Sequence, residues 1–412
     1  MPLFRSNSSS HRSFALRYAG LAVICFCLTE FVRPALPATI TDLGTLGGSS
    51  SAASGINASG QIVGSSTTTG SVDTHAFLYA GGSMTDLGTF GGSSSAASGI
   101  NASGQIVGSA AITGSVFTHA FLYAGGSMTD LGTLGGPNST AAGINDSGQI
   151  VGASLTTGDG PRDAFLYSGG TMTAISFGSD GNGATGINAS GQVVGYGMPL
   201  VQRYSHESIS HAFSYSGGSV TDIDPFNGLG SRATGINASG QIVLDSYTET
   251  GIHAFLYSGG SVTDLGTLGG DQSYSGGINA SGQVVGNSRT SDPGYVYHAF
   301  LYSAGSMTDL NSLLPIGSGW NLVGASGIND SGQIVGGGFI NGQFHAFLLN
   351  TSQTDSPEPA SLALLGIGLV AGGLRQRWRS GKFRIFCFLY DSVKVNTDSG
   401  GFLTANERSR KY

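Results

Sequence analysis

The sequence repeats itself seven times. Residues 41–64 and 85–108 are identical at 23 of 24 positions. A Gly-Ile-Asn triplet returns at spacings of 42 to 50 residues, starting at Gly55, Gly99, Gly143, Gly186, Gly235, Gly277 and Gly327. A His-Ala-Phe triplet accompanies it in six copies, starting at His75, His119, His211, His253, His298 and His345, and Asp163 replaces the histidine in the third copy. Such a period indicates units that bury their apolar surface against one another.

Each repeat carries four short strand signals. In the first copy they lie at residues 52–56, 61–64, 75–79 and 84–87. Asn57-Ala58-Ser59-Gly60 supplies a turn between the first two, with glycine where a positive φ is needed. A second turn, at residues 80–83, joins the last two. Four strands in 42 to 50 residues is typical of a propeller blade.

The position of the fourth strand predicts a closed ring. Its signal first occurs at residues 39–44, ahead of any first strand, whereas the seventh repeat ends at Leu349 without one. We therefore predict an all-β, seven-bladed β-propeller of four-stranded blades over residues 39–350, with the N-terminal strand closing the last blade. A β-solenoid is the alternative. If strand four is outermost, the small residues of strand one lie at the crowded axis.

Composition and charge limit the function. The chain has 70 glycines, yet 39% of its residues are hydrophobic, enough for a real core. Residues 39–355 contain four arginines, no lysine and nineteen acidic residues, a formal charge of −15. Nucleic-acid binding needs a basic surface, so we predict no nucleic-acid partner. The three cysteines lie outside this region, which therefore has no disulfide framework.

The two ends have the composition of targeting segments. Residues 1–38 combine three early arginines, an apolar run at residues 18–29 and a final Ala38, which predicts a cleaved signal peptide. After a linker at residues 351–356, residues 357–379 combine a Pro-Glu-Pro motif, an apolar run at residues 360–374 and a basic cluster. We expect a short membrane helix there, with the repeats outside the cell. The motif and cluster residues are Pro357, Glu358, Pro359, Arg375, Arg377 and Arg379.

This C-terminal segment resembles the PEP-CTERM sorting domain of Gram-negative bacteria. The resemblance implies recognition by an exosortase-type membrane protease near Pro357-Glu358-Pro359. It also implies transient membrane anchoring and final residence on the cell surface or in the extracellular matrix. Residues 380–412 depart from the family pattern, in which the chain stops after the basic cluster. They are either a genuine cytoplasmic tail or a spurious extension.

The repeats resemble the bacterial HAF extracellular repeat family. The resemblance rests on His-Ala-Phe and on Asp-Leu-Gly-Thr-Leu-Gly-Gly at Asp42, Asp130 and Asp264. It spans about three quarters of the chain and implies an exported protein with no established activity.

No catalytic constellation is visible in the repeats. Equivalent histidines in a ring of blades lie far apart, so each is expected to hydrogen-bond an aspartate of strand four, such as Asp86, rather than to bind metal. The Asn-Ala-Ser triplets are interpreted as hairpin turns rather than glycosylation sites. Lipase, metalloprotease and nucleotide-loop motifs do not occur. We predict no cofactor and no metal site.

Variable loops point to one face of the ring. Loops after strands two and four differ between repeats, as loops that carry function commonly do. We predict a binding face over blades four to seven, with candidate residues Tyr196, Arg203, Tyr204, His206, Arg289, Tyr295, Tyr297 and Trp320. The leading hypothesis is non-enzymatic binding of a glycan or surface protein, such as exopolysaccharide. A secreted polysaccharide hydrolase or lyase that uses aspartates of this face is the alternative, and a purely structural matrix role is a third.

Overall fold

The described part of the chain is built almost entirely of strands. A computed structural model describes residues 38–351, apart from residues 159, 179–180, 200–208 and 227–228. Twenty-eight strands form seven separate four-stranded antiparallel sheets. This arrangement confirms the seven-bladed propeller. The alternative β-solenoid was wrong, because the strands form separate four-stranded antiparallel sheets and the last sheet includes the N-terminal strand.

The first three blades follow one strand pattern. Blade one comprises β2 (Gly47–Ile56), β3 (Ile62–Thr68), β4 (Thr74–Ala80) and β5 (Ser83–Asp86). Blade two comprises β6 (Gly91–Ile100), β7 (Ile106–Ile112), β8 (Thr118–Ala124) and β9 (Ser127–Asp130). Blade three comprises β10 (Gly135–Ile144), β11 (Ile150–Thr156), β12 (Arg162–Ser168) and β13 (Thr171–Ile175).

Blades four to six have more varied first and second strands. Blade four comprises β14 (Gly183–Ile187), β15 (Val193–Gly197), β16 (His211–Ser216) and β17 (Ser219–Asp222). Blade five comprises β18 (Ser231–Ile236), β19 (Ile242–Tyr247), β20 (Ile252–Ser258) and β21 (Ser261–Asp264). Blade six comprises β22 (Gly269–Ile278), β23 (Val284–Thr290), β24 (Tyr297–Ser303) and β25 (Ser306–Asp309), followed by a 3-10 turn at Leu310–Leu313.

The seventh blade joins the two ends of the ring. It comprises β26 (Trp320–Ile328), β27 (Gln333–Ile340), β28 (Gln343–Asn350) and the N-terminal β1 (Thr39–Asp42). β1 pairs antiparallel with β28, with Ile40 opposite Leu349. The predicted closure by the N-terminal strand is therefore confirmed. Ala38, the last residue of the predicted signal peptide, is buried in the core of blades six and seven.

The first strands meet around the axis through the glycine of Gly-Ile-Asn. A Cβ placed on Gly99 would lie 3.4 Å from the Cα of Gly143 in the next blade, and one on Gly327 would lie 3.5 Å from the Cα of Gly55. Neighbouring backbones approach this closely because no side chain separates them. The predicted position of strand one at the axis is confirmed.

The asparagine of the same triplet locks each blade to the next. Asn57 is buried, and its Nδ2 donates to the Gln61 Oε1 of its own turn at 2.8 Å and to the Asn101 carbonyl of blade two at 3.1 Å. Asn329 donates to the Asn57 carbonyl and so closes the circle. The seven bonds between blades measure 3.0 to 3.3 Å and start from Asn57, Asn101, Asn145, Asn188, Asn237, Asn279 and Asn329. The prediction that the Asn-Ala-Ser triplets lie in hairpin turns is confirmed.

The apolar core lies between adjacent blades. Val63 and Ala76 of blade one pack with Ile106 and Phe121 of blade two. The phenylalanine of His-Ala-Phe is 0 to 3% exposed in every blade. Burying such a ring contributes roughly 1.5 to 3 kcal/mol. Each blade thus buries its apolar side chains against the next blade, as the period of the repeat predicts.

The repeated histidines pair with the fourth strand as predicted. His75 Nδ1 lies 2.8 Å from Asp86 Oδ2, and the same pairing occurs in five other blades, where it links His119 to Asp130, His211 to Asp222, His253 to Asp264, His298 to Asp309 and His345 to Asp42. In blade three Asp163 instead accepts a hydrogen bond from Asn182 Nδ2 at 3.1 Å. The His-Ala-Phe histidine is therefore a structural residue of the blade.

Candidate functional site

One cross-strand pair distinguishes three of the seven blades. It joins equivalent positions of strands one and two, and its strand-one residue lies three residues before the glycine of Gly-Ile-Asn. In blades one, two, three and seven the pair consists of small residues: Ala52 and Ser65, Ala96 and Ser109, Thr140 and Ala153, and Gly324 and Gly337. In blades four, five and six it includes aromatic or charged side chains: Gly183 and Tyr196, Arg232 and Asp245, and Tyr274 and Asn287.

A cavity of about 770 Å³ opens where these larger pairs meet. Its described lining includes three tyrosines, one arginine and one aspartate, together with aliphatic side chains from loops of the variable face. The chemistry-bearing residues are Tyr196, Arg232, Asp245, Tyr247 and Tyr274, and the aliphatic residues are Ile209, Leu229 and Ile252. A mostly apolar cleft with a few placed polar groups is the usual form of a small-ligand site.

Asp245 is held across the boundary between blades five and six. The backbone N–H and the hydroxyl of Ser275 both donate to Asp245 Oδ1, each at 2.8 Å. Ser275 stands where the other six blades have alanine, at Ala53, Ala97, Ala141, Ala184, Ala233 and Ala325. Blade six therefore departs from the repeat at the residue that receives the carboxylate.

Burial makes the charge of Asp245 costly. It raises the pKa of the carboxyl from 3.8 to about 6, although the Ser275 hydrogen bonds and the positive charge of Arg232 act in the opposite direction. Burial also raises the pKa of Tyr274, helped by the nearby Tyr297 and Asp245. The phenol of Tyr274 is thus neutral at physiological pH, whereas the carboxyl of Asp245 titrates close to it.

Arg232 presents its charge to the cavity. Its Cζ lies 4.6 Å from the centroid of the Tyr196 ring, within the range of a cation–π contact. Among the described residues its guanidinium has neither an ion-pair partner nor a hydrogen-bond acceptor. Tyr196 of blade four thus lies against an arginine of blade five.

Of the predicted site residues, one lines the cavity, others lie elsewhere in blades six and seven, and the rest lie outside the described part of the chain. Tyr196 lines the cavity. Tyr297 donates its hydroxyl hydrogen to Gln272 beside Tyr274, and Trp320 packs edge-on against Phe347 with ring centroids 6.2 Å apart. Predicted residues that lie outside the described part of the chain are Arg203, Tyr204, His206, Pro357, Glu358, Pro359, Arg375, Arg377 and Arg379.

The other two predicted residues form a separate pair on blade six. Arg289 makes an ion pair with Asp271 at 2.7 Å, and its Cζ lies 3.7 Å from the ring centroid of Tyr295. Tyr295 is 72% exposed. Neither residue belongs to the described lining of the cavity.

The sequence prediction missed most of the lining. Arg232, Asp245 and Tyr274 lie within strands, whereas the prediction considered only loops. Alignment of the seven repeats position by position would have singled them out, because, apart from Tyr196 and Asn287, these positions are otherwise occupied by small residues.

Residues 357–377 match the PEP-CTERM protein-sorting motif. The match supports an exosortase substrate, an exported protein that is anchored transiently in the membrane. The motif lies outside the described residues, as does the predicted membrane helix at residues 360–374. Within residues 38–351, as far as the structure describes them, no helix is long and apolar enough to cross a membrane. No curated protein matches the chain.

The chain is similar to several solved structures. The β-propeller domain of the Trilobed protease from Pyrococcus furiosus is 10% identical and matches over 79% of this chain and 100% of its own, with a TM-score of 0.50. The gluconolactonase XC5397 from Xanthomonas campestris is 12% identical over 77% of this chain and 99% of its own, with a TM-score of 0.37. TolB from Acinetobacter baumannii is 15% identical over 57% and 60%, with a TM-score of 0.35. The first likeness shows the propeller fold alone.

Proposed function

We propose that this chain is an exported, non-enzymatic surface protein that binds a saccharide in the cavity between blades four and six. The observation that carries the proposal is the cross-strand pair of strands one and two. It changes from small residues to Tyr196, Arg232, Asp245 and Tyr274 only in the blades around the cavity, in an otherwise nearly uniform ring.

The chemistry of the lining favours a saccharide. Tyrosine rings offer flat apolar surfaces for the C–H faces of a sugar, and their hydroxyls remain available for hydrogen bonds. Asp245 accepts and Arg232 donates, so both kinds of sugar hydroxyl contact can be made. A volume of about 770 Å³ lies within the range of ligand sites.

The variable face as a whole has the character of a binding surface. Nine of the ten large hydrophobic side chains that are exposed in the described residues belong to its loops or strand ends; they are Val72, Val116, Phe117, Phe226, Leu229, Tyr247, Tyr295, Ile316 and Phe339. Exposed apolar groups concentrated on one side of a protein mark interaction sites.

The proposed place of action is the surface or the exopolysaccharide matrix of a Gram-negative cell. The sorting motif supports export and transient anchoring, with an exosortase-type protease acting near Pro357-Glu358-Pro359. Membership of the repeats in the HAF extracellular family is part of this proposal, supported by the His-Ala-Phe triplets.

Binding is favoured over polysaccharide hydrolysis by the number of carboxylates. Glycoside hydrolysis ordinarily needs two carboxyl groups about 5 to 10 Å apart. Asp245 is the one carboxylate among the described residues that line the cavity. A pKa of about 6 suits a general acid, and this observation keeps the hydrolase or lyase as the second candidate.

The test uses the full chain, purified in mild detergent and mixed with exopolysaccharide of the producing cell. We expect the polymer to bind without becoming shorter, and Tyr274→Ala to weaken binding at least about tenfold. Val262→Ala, which removes an exposed apolar side chain from the outer strand β21 of blade five, away from the variable face, is the control and should leave binding unchanged. Release of reducing or unsaturated ends would establish the enzymatic alternative. Absence of binding would overturn the proposal.

A further inference from the structure

We propose that the bound saccharide carries a carboxylate, as a uronic acid does, and that Arg232 binds this carboxylate. The inference rests on the proposed function and specifies the class of saccharide. It follows from the unpaired hydrogen-bond donors of Arg232, which lines the cavity, and from the negative charges around that cavity.

Arg232 has unused hydrogen-bonding capacity. A guanidinium has five N–H donors in a planar fork that matches a carboxylate. No described residue accepts from any of them, and the contact with the Tyr196 ring, 4.6 Å from Cζ to the ring centroid, supplies no hydrogen-bond acceptor of the carboxylate kind. The N–H groups of Arg232 can therefore donate hydrogen bonds to a ligand in the cavity.

Asp245 does not fill that role, although it lies directly opposite Arg232 in the register of β18 and β19. Its Oδ1 is held by Ser275 of blade six, and the two side chains form no ion pair. The carboxylate is thus turned toward blade six, whereas the guanidinium lies over the Tyr196 ring of blade four. The arginine remains available to a ligand.

The other described arginines are engaged elsewhere. Arg289 pairs with Asp271 at 2.7 Å, and Arg162 donates to Thr140 Oγ1 at 3.3 Å. Residues 39–355 contain no lysine. Among the described arginines, Arg232 is therefore the one that lines the cavity.

The surrounding charges limit the ligand to few acidic groups. Asp245 lies in the same cavity, and residues 39–355 carry a formal charge of −15. A second carboxylate near Asp245 would be repelled. The preferred saccharide therefore has an isolated uronate among neutral sugars rather than a continuous polyanion.

The experiment compares two ligands that differ by one charge. Isothermal titration calorimetry of the full chain at pH 7.5 measures a glucuronosyl-glucose disaccharide and the methyl ester of that disaccharide. We expect the acid to bind about tenfold more tightly than the ester, the contribution of one charge-assisted pair. Arg232→Gln should abolish this preference. Arg162→Gln, which removes an equal charge from blade three, should preserve it.

The outcomes separate this inference from the proposed function. Equal affinity for acid and ester, or a preference for the acid that survives in Arg232→Gln, would overturn the role of Arg232 while saccharide binding stands. If neither disaccharide binds but a neutral polysaccharide does, the acidic ligand is wrong and the proposed function holds. If no saccharide binds at all, both are overturned.

Discussion

At the scale of single residues, Asp245 lowers the stability of the folded protein at neutral pH. Its pKa is about 6 in the folded protein against 3.8 ordinarily, so the folded state holds a proton that the unfolded chain releases between these values. Stability therefore falls as the pH rises through this window, by about 3 kcal/mol at most. A repeat protein that could place serine, alanine or asparagine here has retained a destabilising carboxylate, as functional sites often do.

Asp245→Asn tests this cost. Asparagine occurs naturally at the equivalent Asn287 of blade six, and its amide oxygen can still accept from Ser275. We expect the free energy of unfolding in urea to increase by up to about 3 kcal/mol at pH 7.5 and to change little at pH 4, where the wild-type carboxyl is protonated.

Glu249→Gln is the control for this stability measurement. It removes one negative charge from an exposed side chain that follows β19 of the same blade, so stability should stay nearly constant at both pH values. An equal gain from Asp245→Asn at pH 4 and pH 7.5 would show that ionisation of Asp245 is not its cause.

The same titration predicts how the pH affects binding of an acidic saccharide. Protonation of Asp245 removes a negative charge from the cavity and leaves Arg232 unopposed. Nearby, burial raises the pKa of Tyr274, so its phenol stays neutral over this range, and Ser275 carries no charge. Asp271, which lies near Tyr274, is ion-paired with Arg289.

Affinity for glucuronosyl-glucose should therefore rise severalfold as the pH falls from 7.5 to 5. Asp245→Asn should bind this ligand with an affinity that changes little over the same range. Calorimetric titrations at four pH values measure both. A wild-type affinity that falls on acidification would contradict the predicted repulsion.

At the scale of elements, the turn after each first strand is a device for joining blades. The amide of Asn101 donates to Gln105 within its hairpin and to the Asn145 carbonyl of the next blade. The same side chain accepts from the Gln105 N–H. One buried residue thus determines both the shape of the turn and the contact at the axis.

Asn101→Ala should consequently affect the whole ring. It removes the amide donor to the Asn145 carbonyl, which keeps the Gly148 N–H, and it removes the acceptor of the Gln105 N–H, in a buried region; such losses cost about 1 to 3 kcal/mol. The unfolding free energy from urea denaturation measures the loss. Ser127→Ala, on the exposed outer strand of the same blade, is the control and should have little effect. A change below about 0.5 kcal/mol for Asn101→Ala would mean that water replaces the lost partner.

The strands and turns were predictable because each assignment could be compared across seven copies of the repeat. Gly-Ile-Asn and His-Ala-Phe place the turn and the buried ring of every blade, and the unpaired segment at residues 39–44 indicates closure. The full length of the first strands was not predictable. β2 begins at Gly47, five residues before the predicted start, because the bulge between Gly47 and Ser51 interrupts its pairing with β3.

The site was less predictable than the fold for a physical reason. Asp245 and Ser275 are separated by thirty residues and meet only because blades five and six pack face to face. Likewise, Arg232 contacts Tyr196 across the boundary of blades four and five. Such contacts depend on which strand faces which neighbour, and that is known only once the ring is built.

At the scale of the whole molecule, the residues that hold the ring together differ from those that give the cavity its chemistry. Interactions that recur around the ring, the asparagine bonds and the His–Asp pairs, hold the blades together. Residues that depart from the repeat concentrate in blades four to six around one cavity. This division allows Tyr196, Arg232, Asp245 and Tyr274 to change without loss of the ring, since none of them takes part in the asparagine bonds or the His–Asp pairs.

The charge of the whole repeat region governs how a polymer reaches the cavity. A formal charge of −15 on residues 39–355 repels an acidic polysaccharide before any contact with Arg232 is made. Salt screens this repulsion, with a Debye length of about 10 Å at 0.1 M and about 30 Å at 0.01 M. The association rate constant for a uronate-containing polymer should therefore increase with ionic strength between these concentrations. Surface plasmon resonance of the full chain measures this rate constant. A neutral polysaccharide is the control, and its association rate should not depend on salt. Slower association of the acidic polymer at higher salt would mean that attraction by the arginine outweighs the charge of the ring.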